Sequence, residues 1–317
     1  MLSTKLASIF FACGLFVSAF SYLYLRSPVF SQETCLLIEP GQSFSQFLRT
    51  LNDHGSVTPL EGLKFYAHLT GTTQKIRTGE YCFAAHQSIY SVLHDVVQGH
   101  VMNRTLTLPP GITYAQLLAL LEHAPSLLHS TLLPAVGYEG TFLPETYSYR
   151  YPDSDADVLS RANRAMITAL ALAWEQRDPA LPYKDPYQAL IVASIIEKES
   201  AHTEDRRLIA GVIINRLNSH MRLQMDSTVI YGLAQAGKNT ILDKPALRYD
   251  TPYNTYVHEG LPPTPICMPD IDSIQAALHP VASDYFYFVA KGEGRHQFSV
   301  SLHDHQRAIN QYIKGPL

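Results

Sequence analysis

Cysteine, tryptophan and charge are all scarce in this chain of 317 residues, with 4 Cys, 1 Trp and 16% charged residues. Four cysteines are too few for a disulfide-dense scaffold. There is no CxxC pair, and no Cys/His spacing suggests a structural zinc. A basic excess is also missing: 24 Lys and Arg against 28 Asp and Glu leave a formal net charge of −4. That argues against a nucleic-acid binder working through a strongly basic face, and no nucleic-acid partner is expected. Apolar residues, at 46%, are plentiful enough to exclude wholesale disorder. The length suits about two domains once a short anchor is set aside.

The apolar content is uneven, and its densest block comes first. Leu6 to Leu25 is a run of 20 uncharged residues between Lys5 and Arg26. As a helix it would be about 30 Å long, the thickness of a bilayer's hydrocarbon core. Tyr22 and Tyr24 stand near its far end, where interfacial aromatics are favoured. A cleaved signal peptide is the alternative, but the block is longer than a usual signal core and no clear small-x-small site follows it. The expectation is therefore an uncleaved single-pass anchor within residues 1–30, with Cys13 packed in the membrane. Either reading exports the remainder. Of the three exported cysteines, Cys35 and Cys82 fall in strand-like stretches of one module and form the candidate pair.

Residues 31–122 repeat a pattern of short strand, turn, Ser or Thr cap and helix. Leu37-Ile38, Pro40-Gly41 and Ser43 precede Phe44, Phe47, Leu48 and Leu51. Leu106 to Leu108, Pro110-Gly111 and Thr113 precede Tyr114, Leu117, Leu118 and Leu121. A weaker copy runs from Tyr81-Cys82-Phe83 through Ser88 to Val92, Leu93 and Val96. Such units bury their apolar faces on one another as a small α+β module. No acids, bases or nucleophiles gather there, so its expected role is binding or spacing. Residues 123–155, rich in Pro, Gly and Tyr, read as a linking segment, and residues 156–317 as the main domain. Helical periodicity resumes from Ala156 to Gln176.

Asp185-Pro186 opens the next helix as a cap followed by proline at the first position. From Tyr187 to Ser200 that helix is apolar on almost every side until its last turn, as a buried core helix is. Glu197 and Glu199 arrive there about 200° apart around the axis. One is expected to face a cleft and the other solvent or a cation such as Arg206 or Arg216. The negative end of the helix dipole and partial burial both raise a carboxyl's pKa, which suits a general acid. A pair of ordinary surface glutamates is the alternative. Arg206 to Leu217 reads as another helix. Met221–Gly232, Tyr253–Tyr256 and Gly260–Ile266 read as loop-like runs dense in amides, hydroxyls and rings. Those groups suit a polyhydroxylated, N-acetylated ligand. Tyr285–Val289, the turn Lys291–Gly294 and a strand from His296 to Val300 predict a hairpin forming one wall of the cleft, and Asp304–Lys314 a closing helix. His258, His279, His296, His303 and His305 show no ligand spacing such as HExxH, so they are expected to line the cleft or bond to backbone. No metal and no cofactor is expected.

Several runs occur in a telling order: ASIIEKES at Ala193–Ser200, INRL at Ile214–Leu217, MRLQMDSTVIYG at Met221–Gly232, YNTY at Tyr253–Tyr256, GLPPTPI at Gly260–Ile266, AALHP at Ala276–Pro280, and the segment Tyr285–His305. Residues 191–317 thereby resemble the catalytic domain of the bacterial endolytic murein transglycosylase family. Glu139-Gly140 with Pro144-Glu145-Thr146-Tyr147 resembles that family's linking motif, and the Pro-Gly modules its LysM-like region. The expected class is α+β: an N-terminal membrane helix, a small LysM-like α+β module, and a mixed α+β catalytic domain with a polar cleft.

The resemblance maps the family's catalytic residue onto Glu199. Ser200 follows it where the family has Thr, and Met225 and Ser227 stand where Thr and Pro are common. It implies non-hydrolytic cleavage of peptidoglycan glycan strands at the MurNAc–GlcNAc β-1,4 bond, leaving 1,6-anhydro-MurNAc ends and ending strand growth. It also implies an inner-membrane location with a periplasmic body, and cell-wall synthesis proteins as partners. Ser200, Gln224, Asp226, Asn254 and Tyr256 are the candidate substrate-binding residues. For Asp226 an N-cap role is equally open, and Glu197 is expected to be structural. A membrane-anchored glycan-binding scaffold without catalysis and a lysozyme-like hydrolase are the competing functions.

Overall fold

A computed structural model describes residues 15, 18–55, 57, 59–130 and 139–313, and the chain is of mixed α+β class. It divides into two compact units: residues 1–105 with 125–129 and 148–154, and residues 106–124 with 130–147 and 155–317. The expected anchor lies mostly, and Cys13 and Lys314 wholly, outside the described residues. Residues 18–26 are helical. Among the described residues no helix is long and apolar enough to cross a membrane.

In the first unit β1 (Thr34–Ile38) pairs antiparallel with β2 (Gly79–Phe83). Three helices surround the pair: α1 (Phe44–His54), α2 (Leu60–Leu69) and α3 (Ile89–Gln98). The sequence states why α1 begins where it does. Ser43 accepts from the Gln46 amide while the Gln46 side chain reaches back to the Ser43 amide, a reciprocal capping box. The Ser88 side chain caps α3 by accepting from the Ser91 amide, and Gly99, at φ 77°, ends it in the left-handed region where glycine is unstrained. Phe47, Leu48, Leu51, Tyr81, Phe83 and Val96 fill the core. Beside them the buried Glu80 takes a two-pronged bond from Arg104, at 2.7 and 2.6 Å. Helix α2 has no counterpart in the sequence reading: Pro59 provides no side-chain cap and Gly62 interrupts the run.

Cys35 and Cys82 stand opposite one another in the β1–β2 register and are joined by a disulfide spanning 47 residues. A cross-link of this length stabilises by restricting the unfolded chain, typically by about 2–4 kcal/mol. Cys35→Ser in the full chain should therefore lower the thermal midpoint of the first unit by roughly 10 °C or more. Circular dichroism melts of wild type with and without reductant should reproduce the same difference, and coincident melts would show the bridge to be idle.

The second unit is built on α6 (Pro186–Glu199), whose residues Ala189 to Ile196 are all buried. Around it pack α5 (Asp155–Glu175), α7 (Thr203–Asn218), α8 (Asp226–Gln235) and α9 (Ile271–Leu278). α4 (Tyr114–Glu122) precedes them, opened by a Thr113/Gln116 capping box. β3 (Arg104–Thr107) and β4 (Thr146–Tyr149) each run across the boundary of the two units, and within the second unit β5 (Tyr287–Gly292) pairs antiparallel with β6 (Arg295–Ser299) as the expected hairpin. α10 (Leu302–Tyr312) follows, capped by Ser301. α7 approaches the segment after α9 so closely that a Cβ on Gly211 would lie 2.5 Å from the Val281 carbonyl oxygen.

One segment differs from its sequence reading. Only Met221–Met225 of the loop-like run Met221–Gly232 is irregular, and α8 begins at Asp226. Thr228, Val229, Tyr231, Gly232 and Leu233 are its buried face, a polar mixture that masks the helical period. The N-cap position is Met225, without a side-chain bond, so Asp226 is the first helical residue and not the cap.

Candidate active site

The last turn of α6 delivers its two carboxylates to different neighbours. The Asp185 side chain accepts from the Gln188 amide and Pro186 fills the first position, which fixes the start of the helix. At the other end Glu197 is engaged on both oxygens. Oε1 accepts from Arg206 at 3.1 Å, and Oε2 from the Asp270 amide and the Ser273 hydroxyl, each at 2.9 Å. Glu197 is thus structural, with Arg206 as its cation. Arg216 goes elsewhere: its guanidinium donates to the carbonyls of Leu223 and Phe286 and lies over the Tyr287 ring.

Glu199 faces the opposite way. It opens on a cavity of about 570 Å³ whose polar side is formed by Gln224, Asp226, Tyr256 and Arg216. Tyr287, Phe288 and His296 of the hairpin, with His305 and Ile309 of α10, complete it. The Ser227 hydroxyl donates to Glu199 Oε1 at 2.7 Å, and the Tyr256 hydroxyl donates to Asp226 Oδ1 at 2.7 Å. Burial raises the pKa of Glu199; the hydrogen bond from the Ser227 hydroxyl opposes that, and the Asp226 charge adds to it. Burial and Asp226 together push the Tyr256 phenol far above its ordinary value, so it remains a proton donor. A carboxyl whose pKa is raised, beside a second carboxylate on a facing element, is suited to give a proton to a substrate oxygen and then take one back.

The turn that presents these groups is pinned from below. Gln224 and Met225 donate their amides to the carbonyl and hydroxyl oxygens of Thr255, at 3.1 and 2.9 Å. Gln224 has φ 49°, a left-handed conformation unusual for a non-glycine residue and of the kind concentrated at functional sites.

Of the candidates read from sequence, Glu199, Gln224, Asp226 and Tyr256 meet at this cavity. Ser200 and Asn254 are buried away from its lining. Ser200 ends α6: its amide bonds to the Ile196 carbonyl, its hydroxyl accepts from the His202 amide, and its carbonyl accepts from Arg206. The Asn254 side-chain amide donates to the carbonyls of Leu247 and Tyr249, and its oxygen accepts from the Tyr256 amide, so it shapes the loop that carries Tyr256. His296 and His305 line the cavity, whereas His258 bonds to Asp250.

Three residues to which the sequence motifs give no site role, Ser227, Thr255 and Glu139, hold these elements. Glu139 is buried, accepting from the first amide of α4 at Tyr114 and from the Tyr231 hydroxyl of α8. Desolvation raises its pKa. Its partners lie 25 and 92 residues away, beyond any local pattern.

A family model described as the YceG-like family matches residues 36–311. The chain is 37% identical over 177 residues to an endolytic murein transglycosylase of Bacillus subtilis, covering 56% of this chain and 48% of that protein. It is 33% identical over 202 residues to an endolytic murein transglycosylase of Streptococcus pneumoniae, covering 61% of this chain and 36% of that protein. The match spans less than half the length of these relatives. A crystal structure of a YceG-like protein from Listeria monocytogenes superposes with a TM-score of 0.52 at 26% identity, over 87% of this chain and 99% of that one.

Proposed function

The chain belongs to the YceG-like family, and on that premise we propose that it is a lytic transglycosylase cutting peptidoglycan glycan strands internally at the MurNAc–GlcNAc β-1,4 bond. The observation that carries the reading is Glu199: a carboxyl with a raised pKa, held on one oxygen by Ser227 and open to a cavity of saccharide size.

In the proposed reaction Glu199 gives its proton to the departing glycosidic oxygen as the bond from that oxygen to the MurNAc anomeric carbon breaks. The sugar's own C6 hydroxyl attacks that carbon, and its proton passes to the now ionised Glu199. A 1,6-anhydro ring forms, no water is consumed, and the acid is restored. Because the nucleophile is tethered, it needs no carboxylate to activate water or to form a covalent intermediate. Asp226 supplies negative charge near the developing oxocarbenium centre and holds the Tyr256 hydroxyl. Gln224 offers donors, and the Tyr256 hydroxyl oxygen an acceptor, to sugar groups at the cavity wall.

The reading extends to a LysM-like module in residues 31–122, a linking segment in 123–155 and the catalytic domain in 156–317. It also includes a single-pass anchor at Leu6–Leu25, a periplasmic site, a role in ending nascent strands, and wall-synthesis proteins as partners. Mass spectrometry of the products released from purified glycan strands tests its chemical core. The expected ends are 1,6-anhydro-MurNAc. Reducing ends would make the protein a lysozyme-like hydrolase, and uncut strands a glycan-binding scaffold.

A further inference from the structure

Glu199 lies between two helix ends of opposite sign. It closes α6, where the dipole is negative, and it faces the first turn of α8, where the dipole is positive and amides have no partner within the helix. Ser227 is the second residue of α8, and it addresses the carboxyl with its hydroxyl, 2.7 Å from Oε1. The other charged groups at the cavity have other engagements or stand on its far walls. Asp226 takes the Tyr256 hydroxyl, and Arg216 is spent on carbonyls and the Tyr287 ring. His296 bonds to Asp205, and His305 stacks on Tyr287. On α6 itself, Glu197 bonds to Arg206 and Lys198 to the Gly111 carbonyl.

Resting on the proposed function, we propose that Ser227 is a positioning residue that decides which oxygen of Glu199 carries the catalytic proton. In a protonated carboxyl the carbonyl oxygen is the better acceptor, so a hydroxyl that donates to Oε1 at 2.7 Å favours the proton on the other oxygen. The acid proton is therefore favoured on Oε2, with Oε1 as the acceptor. When Oε2 loses its proton to the leaving oxygen, the charge left on the carboxylate is shared with Ser227. When the C6 hydroxyl gives up its proton, Oε2 is again the site that receives it. One oxygen thus serves as acid and then as base without rotation of the side chain. This contact belongs to this chain's own residue, since a proline at position 227 would have no hydroxyl.

Two different substitutions remove the hydroxyl, Ser227→Ala and Ser227→Pro, since the first turn of a helix also accommodates proline. The hydroxyl bond favours the ionised carboxyl, so the alkaline limb of the pH–rate profile should move to higher pH in both variants. The low-pH plateau of kcat/KM should fall by about tenfold in Ser227→Ala, the scale of a charge-assisted hydrogen bond. Ser227→Thr, which keeps the hydroxyl, should restore both limb and plateau. A purely structural role would lower the plateau and leave the limb in place. The ionisation of Glu199 is also to be followed directly by carboxyl 13C NMR, its signal assigned by loss in Glu199→Gln. An unmoved titration in both Ser227→Ala and Ser227→Pro overturns the inference even where wild type cleaves glycan. Absence of cleavage by wild type overturns the proposed function instead, whatever the titration shows.

Discussion

Glu199→Gln is expected to lower glycan cleavage by roughly 10²–10⁴-fold, the contribution of a placed general acid. The expected loss lies wholly in the missing proton, because the substitution changes so little else. Glutamine keeps the side-chain length and an oxygen that can accept the Ser227 hydroxyl now bonded at 2.7 Å. The buried face of α6, Ala189 to Ile196, is untouched. Stability separates the chemical effect from damage to the fold, and its sign can be worked out. The folded-state pKa of Glu199 is raised, chiefly by burial, so folding favours the protonated form. The carboxyl therefore subtracts stability progressively as pH rises from its unfolded value through its raised folded value. Glu199→Gln should melt with wild type below the ordinary carboxyl range and above it once that raised value is passed. A stabilised, inactive variant is the signature of a catalytic group kept at a cost to the fold. An active variant would take the acid role from Glu199.

Helix α6 and its carboxylates are legible in sequence because their signals are local. Asp185-Pro186 marks the start, the unbroken apolar run marks burial, and a two-residue step alone separates Glu197 from Glu199 around the axis. The hairpin is legible for the same reason, from Tyr287 to Ser299. What the sequence hides is what closes the site from a distance. Ser227 reaches Glu199 across 28 residues, and α8 is obscured because its cap position, Met225, has no capping side chain and its inner face includes Thr228 and Gly232. Asn254 shows the limit of composition: its amide suits a sugar on paper, but full burial commits it to Leu247, Tyr249 and Tyr256. The family resemblance selects Glu199 over Glu197. The physical reason for the choice is Arg206, which neutralises one carboxylate and leaves the other to the cavity.

Arg206→Met is expected to cost about 3–5 kcal/mol, the usual result of removing one partner from a buried ionic group. The side chain of Arg206 is 6% exposed and that of Glu197 equally so. One guanidinium nitrogen bonds both oxygens of Asp270, at 2.7 and 2.8 Å, a second bonds Glu197, and Nε bonds the Ser200 carbonyl at 2.8 Å. These contacts tie the end of α6 to Asp270, the N-cap of α9. Without the cation, two carboxylates are left together in a poorly solvated place. Burial already raises the pKa of Glu197, and the neighbouring Asp270 charge acts in the same direction. The damage should therefore shrink on acidification, as one carboxyl takes up a proton and can donate to the other. Glu197→Gln in the Arg206→Met background removes that repulsion and should recover part of the loss, so the two substitutions should be strongly non-additive. Arg206→Lys should fall between wild type and Arg206→Met, because an ammonium cannot present the planar fork that reaches Asp270, Glu197 and Ser200 together. Urea unfolding of the full chain at neutral and mildly acidic pH measures all three effects. A loss below about 1 kcal/mol for Arg206→Met, within the range of an exposed pair, would mean that packing and not this network holds the end of α6 in place.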